Sequence, residues 1–343
     1  MSFVKGVRPA SHAGSWYEDD AETLSAELDG YLSSVPKTLD NDTLPVNNAR
    51  FIIAPFVFLF LALLSLCTPA DNVFPRHAGY SYSGPCAAWA YKCLDLRNAK
   101  RVFVLGPSHT YYLAGCALST ATAYATPFGS LRVDTATVSE LQPLLAGTMP
   151  PRNEIQEHSL EMHMPYLYKQ LQAVHGAAAA DAFPAIVPIL VGDMDTDEEK
   201  RVGGILAPYL RDPHTAVIVS SDFCHWGAHF RYRVYAHDGT LASLKPLRAQ
   251  PGAGEPRIHE TIRMLDQAAM DAIETGSVDA FKKVLEDTDN TICGRHPIAV
   301  AMAALEEMGS KRPFKFVRYE RSALVTKLAD SSVSYASAYA VLE

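Results

Sequence analysis

The chain has 343 residues, 48% hydrophobic and 20% charged, a balance that excludes a disordered or fibrous protein. Its 30 Lys and Arg against 38 Asp and Glu leave a net charge of −8. This argues against general nucleic-acid binding, which needs a basic face. Six cysteines without a CxxC pair do not make a secreted disulfide framework. MSFVKGVRPASHAGSWY lacks the apolar core of a signal peptide, so a soluble protein of a reducing compartment is expected.

In chain order, Leu24, Leu28 and Leu32 recur every fourth residue after the acidic EDDAE and predict a first amphipathic helix. Thr38–Asn48 reads as a loop. Four short apolar runs predict buried strands: Phe51–Ala54, Arg101–Leu105, Ala185–Val191 and Ala216–Val219. Most are followed at once by turn or polar chemistry. Helices are expected over Cys86–Leu94, Leu160–Val174, Asp197–Leu210, Ile258–Glu274, Val278–Leu285 and Pro297–Met308, with Pro297 near a helix start. Further strands are expected near Phe314–Tyr319 and Ser332–Ala340. The alternation of helix and strand predicts an α/β fold: one domain over 1–343, with a mostly parallel or mixed sheet flanked by helices.

One stretch departs from this picture. Phe56–Cys67 (FVFLFLALLSLC) is a run of 12 mostly apolar residues without a charge. A bilayer span needs about 20, so no stable membrane span is expected.

Open α/β sheets place ligands at the carboxyl ends of their strands, and the residues falling there suit a metal. His109 follows RVFVLGP; Asp222, Cys224 and His225 follow AVIVSS; His77 opens HAGYSYSG; Cys293 and His296 stand in ICGRHP before a helix. Imidazole and thiolate favour copper, iron or zinc over magnesium or calcium. An isolated histidine is more often a hydrogen-bonded loop residue than a ligand, and it is the joint placement that points to a site.

In EHSLEMHMP, His158 and His163 are five apart and so face different sides of a helix, which loosely resembles HExxH spacing without matching it. A supporting or helix-start role is expected for them rather than ligation. A helix N-terminus with Arg295 and His296 beside it is expected to lower the Cys293 thiol pKa, which would also suit a nucleophile. No G-x-S-x-G elbow, GxGxxG or GxxxxGK[ST] occurs.

RPASHAGSWY, IIAP, HAGYSYSGPCAAWAY, VFVLGPSH, QEHSLEMHMPY, VPILVG, VSSDFCHWGAHFRY, NTICGRHPI and DSSVSYASAY together resemble the Memo family, in that family's order, from Arg8 to Tyr339. The chain looks like a eukaryotic, fungal-type member. The resemblance implies a fold like the LigB-type class III extradiol dioxygenases. It implies one mononuclear copper or iron site at His77, His109 and Cys293, with Asp222 and His225 beside them as supports or alternative ligands. It further implies redox effects, motility or invasive-growth signalling, and a cytoplasmic location, with the nucleus as an alternative. Trp16, Tyr82 and Arg231 match positions lining a groove for phosphotyrosine-type peptides or a signalling protein. No catalytic residue or reaction is carried over. An iron dioxygenase acting on a small aromatic, and a peptide-binding adaptor with a vestigial site, stand as alternatives. The thiol makes catechol cleavage less favoured than a soft, redox-tuned site.

The departure from the family pattern is the apolar run. There IIAP leads directly into HAGY, whereas here the 21 residues Phe56–Arg76 separate Pro55 from His77. Such an insertion loosens a histidine that takes its direction from a strand end. A retained intron or gene-model error is the expectation, with a membrane or partner hook as the alternative.

Overall fold

The structure, a computed structural model, describes residues 6–40, 42–56, 78–176 and 182–342. His77 and the rest of the insertion beyond Phe56 lie outside the described residues. In chain order the main sheet is built from β1 (Ala49–Ala54), β2 (Arg101–Pro107), β3 (Cys116–Leu118), β4 (Ala146–Thr148), β5 (Ala185–Val191), β6 (Thr215–Ser220), β7 (His225–Trp226), β8 (Lys315–Arg321) and β9 (Ser332–Val341). Their spatial order is β7-β9-β1-β6-β2-β5-β3-β4, with β8 paired to β9. The central strands β1, β6, β2 and β5 run parallel. β9 and β3 join them antiparallel, so the sheet is mixed.

The central strands are apolar at successive positions because both faces are covered. Ile52, Val104 and Ile218 pack with residues of α1 (Ala21–Ser34), α2 (Ala78–Cys93) and the later helix Met164–His175. Their neighbours Phe51, Phe103 and Val217 pack on the other face, where Thr196–Arg211 and Arg295–Glu307 lie. The expected α/β class, with a mixed sheet between helical layers, is the observed one.

The remaining helices are α3 (Thr135–Leu145), α4 (Pro151–Gln156), α5 (His158–Glu161), α6 (Met164–His175), α7 (Thr196–Arg211), α8 (Ile258–Glu274), α9 (Val278–Thr288) and α10 (Arg295–Glu307). Asp20 and Asp195 cap α1 and α7 through their side chains. Among the described residues no helix is long and apolar enough to cross a membrane.

Two expectations need correction. α2 begins at Ala78 and runs through Pro85, eight residues before the expected start. Its glycines serve close approach: a Cβ at Gly79 would stand 1.9 Å from the Trp16 carbonyl oxygen, and one at Gly84 2.6 Å from the Tyr31 ring. The helix expected over Leu160–Val174 is broken. Its first turn ends at Glu161, and α6 restarts at Met164 with Pro165 in its opening turn.

Candidate metal centre

Three adjacent parallel strands deliver the cleft. Two residues beyond the ends of β1, β6 and β2 stand Phe56, Asp222 and His109. His109 is held by a carboxylate from the α4–α5 junction. Its backbone N–H donates to Glu157 Oε2 at 2.7 Å, and its Nδ1 lies 3.1 Å from Glu157 Oε1. A neutral imidazole facing a carboxylate this way carries its proton on Nδ1, which puts the lone pair on Nε2, toward a prospective ligand. Glu157 also accepts from Thr110, His158 and Ser159 N–H groups. Burial pushes its carboxyl up, but the N–H groups it accepts and the histidines set against it outweigh burial and hold it well below the ordinary carboxylate range.

His158 stacks on His109, ring centroids 4.6 Å apart and 21° from parallel. Burial first, and then the neighbouring His109, push its pKa down to about 3. Ligand atoms of His109, Glu157 and His158 lie within 4.8 Å of one another. Glu157 is nonetheless committed to N–H donors through both oxygens, so within this trio it orients imidazoles rather than offering a ligand.

Behind it stands Arg8, buried, with every guanidinium N–H engaged. Nε donates to the Glu154 carbonyl, Nη1 to the Pro9 carbonyl and Glu161, and Nη2 to the Ile155 and Glu157 carbonyls. The Arg8–Glu161 pair measures 2.6 Å and is fully enclosed.

Cys293 lines the same cleft as His109, a cavity of about 380 Å³ that also takes in Asp193, Arg295 and His296. Its thiol is turned inward: the Asp222 N–H donates to Sγ at 3.2 Å, and the Cys293 N–H donates to the Asp222 carbonyl at 3.3 Å. Gly294 permits this approach, since a Cβ there would stand 2.3 Å from Ser221 Cβ. The expected lowering of this thiol pKa is overturned. Burial, followed by the charge of Asp222, pushes it well up and outweighs the lowering by Arg295. His296 does not serve the thiol; its Nδ1 sits 2.6 Å from the buried Glu199 and its Nε2 3.3 Å from Asp193.

Asp222 also accepts the Phe56 N–H at 3.0 Å. His225 is pinned by Thr291, its Nδ1 donating to the Thr291 carbonyl at 3.0 Å. Burial pushes its pKa down to about 4, and nearby His109 contributes to the lowering. His163 turns away from His109 and meets the Tyr91 hydroxyl at 2.8 Å. His77 lies outside the described residues.

Of the groove residues, Trp16 packs on His158 at 4.6 Å. Tyr82 is 43% exposed on α2. Arg231 is exposed at a left-handed φ of 54°, one residue after Phe230, which packs on His225 at 5.1 Å. Among the described residues no hydrogen bond or ring contact joins these three to one another. Sequence reasoning missed Glu157 and Arg8 as builders of this site and set His158 aside. The residues fit a soft or intermediate ion in donor chemistry: neutral imidazoles fixed through Nδ1, and a thiol on the same cleft wall.

Fold and cleft together define an α/β protein with a histidine-lined cavity at the carboxyl edge of a mixed sheet. A family model described as Memo-like protein matches residues 67–339. Protein MEMO1 of Homo sapiens is 38% identical over 334 residues, covering 96% of each chain. A MEMO1 family protein of Schizosaccharomyces pombe is 37% identical over 346 residues, covering 98% of this chain and 99% of its own. The chain belongs to the Memo-like family. The crystal structure of an uncharacterized protein from Escherichia coli K12 aligns with a TM-score of 0.44 at 12% identity, covering 83% of this chain and 98% of that one. At that distance the likeness bears on no detail of the chemistry.

Proposed function

We propose that this chain is a metal-binding, redox-associated protein that holds one copper or iron ion in the cleft and acts in motility or invasive-growth signalling in the cytoplasm. The observation that carries the reading is the placement of His109 and Cys293 on one cavity, with His158 stacked on the first and Asp222 bonded to the second. His109 and Cys293 would hold the ion, with His225 and Asp222 as further donors. His77 belongs to the set on resemblance alone. Copper or iron bound there would supply one-electron chemistry. The chain's own part is to fix imidazole direction through Glu157 and Thr291, and to keep His158 and His225 neutral by burial.

The test is elemental analysis of anaerobically purified protein. Copper or iron is expected in the wild type and lost in His109→Ala and Cys293→Ala; metal content unchanged in both variants overturns the assignment.

The iron-dioxygenase alternative draws on the two histidines and one carboxylate of His109, His158 and Glu157. That carboxylate is already spent on N–H donors, which makes the reading second. Oxygen uptake by iron-loaded protein across a panel of catechols separates the two.

A further inference from the structure

The edge of the sheet opposite the cleft carries a second cavity. Arg50 stands at the amino end of β1, while Phe56 lies past its carboxyl end, about 20 Å along an extended chain. Arg50, Arg211 and Lys311 line a hollow of about 200 Å³ together with Met308 and Leu342, and among the described residues no acidic one lines it. In a chain of net charge −8, three cations around one hollow run against the overall balance.

Arg50 is 8% exposed, and its Nη1 donates to the carbonyls of Leu210, Asp212 and Thr215. Its Nε and Nη2 find no acceptor among the described residues. These two nitrogens form the side-on edge of the guanidinium, the fork that matches two oxygens of a phosphate or carboxylate. Arg211 donates from Nη2 to the Glu307 carbonyl, and Lys311 is exposed with no hydrogen bond or ion pair from its ammonium among the described residues.

Both arginines also sit against the negative carboxyl ends of α7 and α10, and capping alone would be the simplest account of them. Capping occupies one nitrogen of each, however. It explains neither the open fork of a buried arginine nor Lys311, which caps nothing. Burial lowers the Arg50 pKa, and the opposing charge of Asp212 does not make up the difference. The Asp212 carboxylate is itself turned to the His214 N–H and Nδ1, at 2.9 and 3.1 Å. A buried cation left in this state gains from an anion.

We propose that this hollow binds a small soluble dianion of the phosphate type, a phosphate monoester or phosphate itself. Arg50 is the bidentate anchor, and Arg211 and Lys311 are the flanking charges. The site is separate from the metal-binding reading and stands or falls without it. Its volume is below the roughly 300–1,000 Å³ of sites for drug-sized ligands, too small for a nucleotide. Three cations match a dianion better than a single carboxylate. None of the large exposed hydrophobic side chains lines the hollow, so nothing there enters a bilayer, and a lipid headgroup is the weaker source of the phosphate.

The test is calorimetric titration of the full chain with glycerol 3-phosphate and inorganic phosphate at low salt, with acetate as the singly charged control. Sedimentation with phosphatidylcholine vesicles containing phosphatidylinositol 4-phosphate tests the lipid source. The wild type is expected to bind both phosphates saturably at one site per chain, and acetate not at all. Lys311→Ala, a change on an exposed loop, should weaken glycerol 3-phosphate about fivefold. Arg50→Lys removes the fork and should weaken it about tenfold or more. Arg295→Ala, in the histidine-lined cleft, should leave the affinity at the wild-type value.

Absence of saturable phosphate binding by the folded wild type overturns the proposal. So does an affinity within about twofold of wild type in both Lys311→Ala and Arg50→Lys, or a loss confined to Arg295→Ala, which would put the anion in the cleft. Retention on vesicles without binding of the soluble phosphates overturns the soluble ligand. Should Arg50→Lys fail to fold, Lys311→Ala and Arg211→Gln decide between the same outcomes.

Discussion

Replacing Glu157 by Gln tests the construction of the cleft through both stability and metal affinity. One Glu157 oxygen accepts from His109 N at 2.7 Å and Thr110 N at 3.3 Å. The other accepts from His158 N and Ser159 N, both at 3.0 Å, and faces His109 Nδ1 at 3.1 Å. Glutamine keeps the shape, but one end becomes an NH₂ donor, so in either orientation it confronts at least two N–H groups. Hydrogen bonds to a charged acceptor contribute about 1.5–3 kcal/mol each. Losing two costs about 3–6 kcal/mol before relaxation, in line with the roughly 3–5 kcal/mol lost when a buried charge partner is removed. For a chain of this size about 2 °C of Tm per kcal/mol applies, giving a fall of roughly 6–10 °C by calorimetry. Because His109 loses its tether at Nδ1, copper(I) affinity is expected to fall about 10–100-fold. A Tm within about 1 °C of wild type together with unchanged affinity would refute the role given to Glu157.

Arg8→Lys replaces five engaged N–H donors by three and strands at least two acceptors, so about 2–5 kcal/mol of stability should be lost in urea titration; a loss under 1 kcal/mol contradicts the hub. Gly79→Ala drives a Cβ into the Trp16 carbonyl and should cost about 3 kcal/mol or more, with a change in tryptophan fluorescence as Trp16 leaves His158. Cys293 should react slowly with iodoacetamide in the native protein at neutral pH, because its thiol is pushed up; rapid labelling mapped to Cys293 would contradict its environment. His163 gives a pH signature. Burial lowers its pKa to about 3, so its contribution is complete above the ordinary value near 6.5 and is lost as pH falls toward 3, where the unfolded chain binds a proton that the native state refuses. The slope is about 1.4 kcal/mol per pH unit, and a His163→Gln variant with the wild-type slope between pH 6 and 4 would exclude this source.

The parts of the fold set by local hydrophobic pattern were legible. β5 over Ala185–Val191 and α8 over Ile258–Glu274 coincide with the runs that predict them. α4 was not, because its six residues are mostly polar and take their shape from Arg8 binding the carbonyls of Glu154 and Ile155. Contacts spanning 146 to 149 residues leave no periodic trace. On one continuous helix a five-residue spacing puts His158 and His163 on different sides and points to no shared site. The break at Met162–His163 sends His158 to the cleft and His163 to Tyr91. The helix N-terminus is visible in the sequence at Cys293, whereas the burial and the Asp222 charge that control the thiol come from tertiary packing.

The N-terminal segment shows how a wall of the cleft is made from residues far away in sequence. Glu161 is fully buried, and its carboxyl lies well below the usual range: burial raises it, but Arg8 and then His12 outweigh burial. Ser11, His12 and Tyr17 also donate to it. Once those donors are fixed, Trp16 has little choice of position. Its carbonyl accepts from Tyr80 N–H against Gly79, and its ring lies between His12 at 5.2 Å and His158 at 4.6 Å. A tryptophan held this way acts on the cleft by covering His158, and any peptide approaching the same ring meets a surface already committed on that side. Substituting Trp16 should therefore alter the solvent access of His158 before it alters any surface affinity. Hydrogen exchange at the His158 ring, compared in wild type and Trp16→Ala, separates a wall residue from a docking residue.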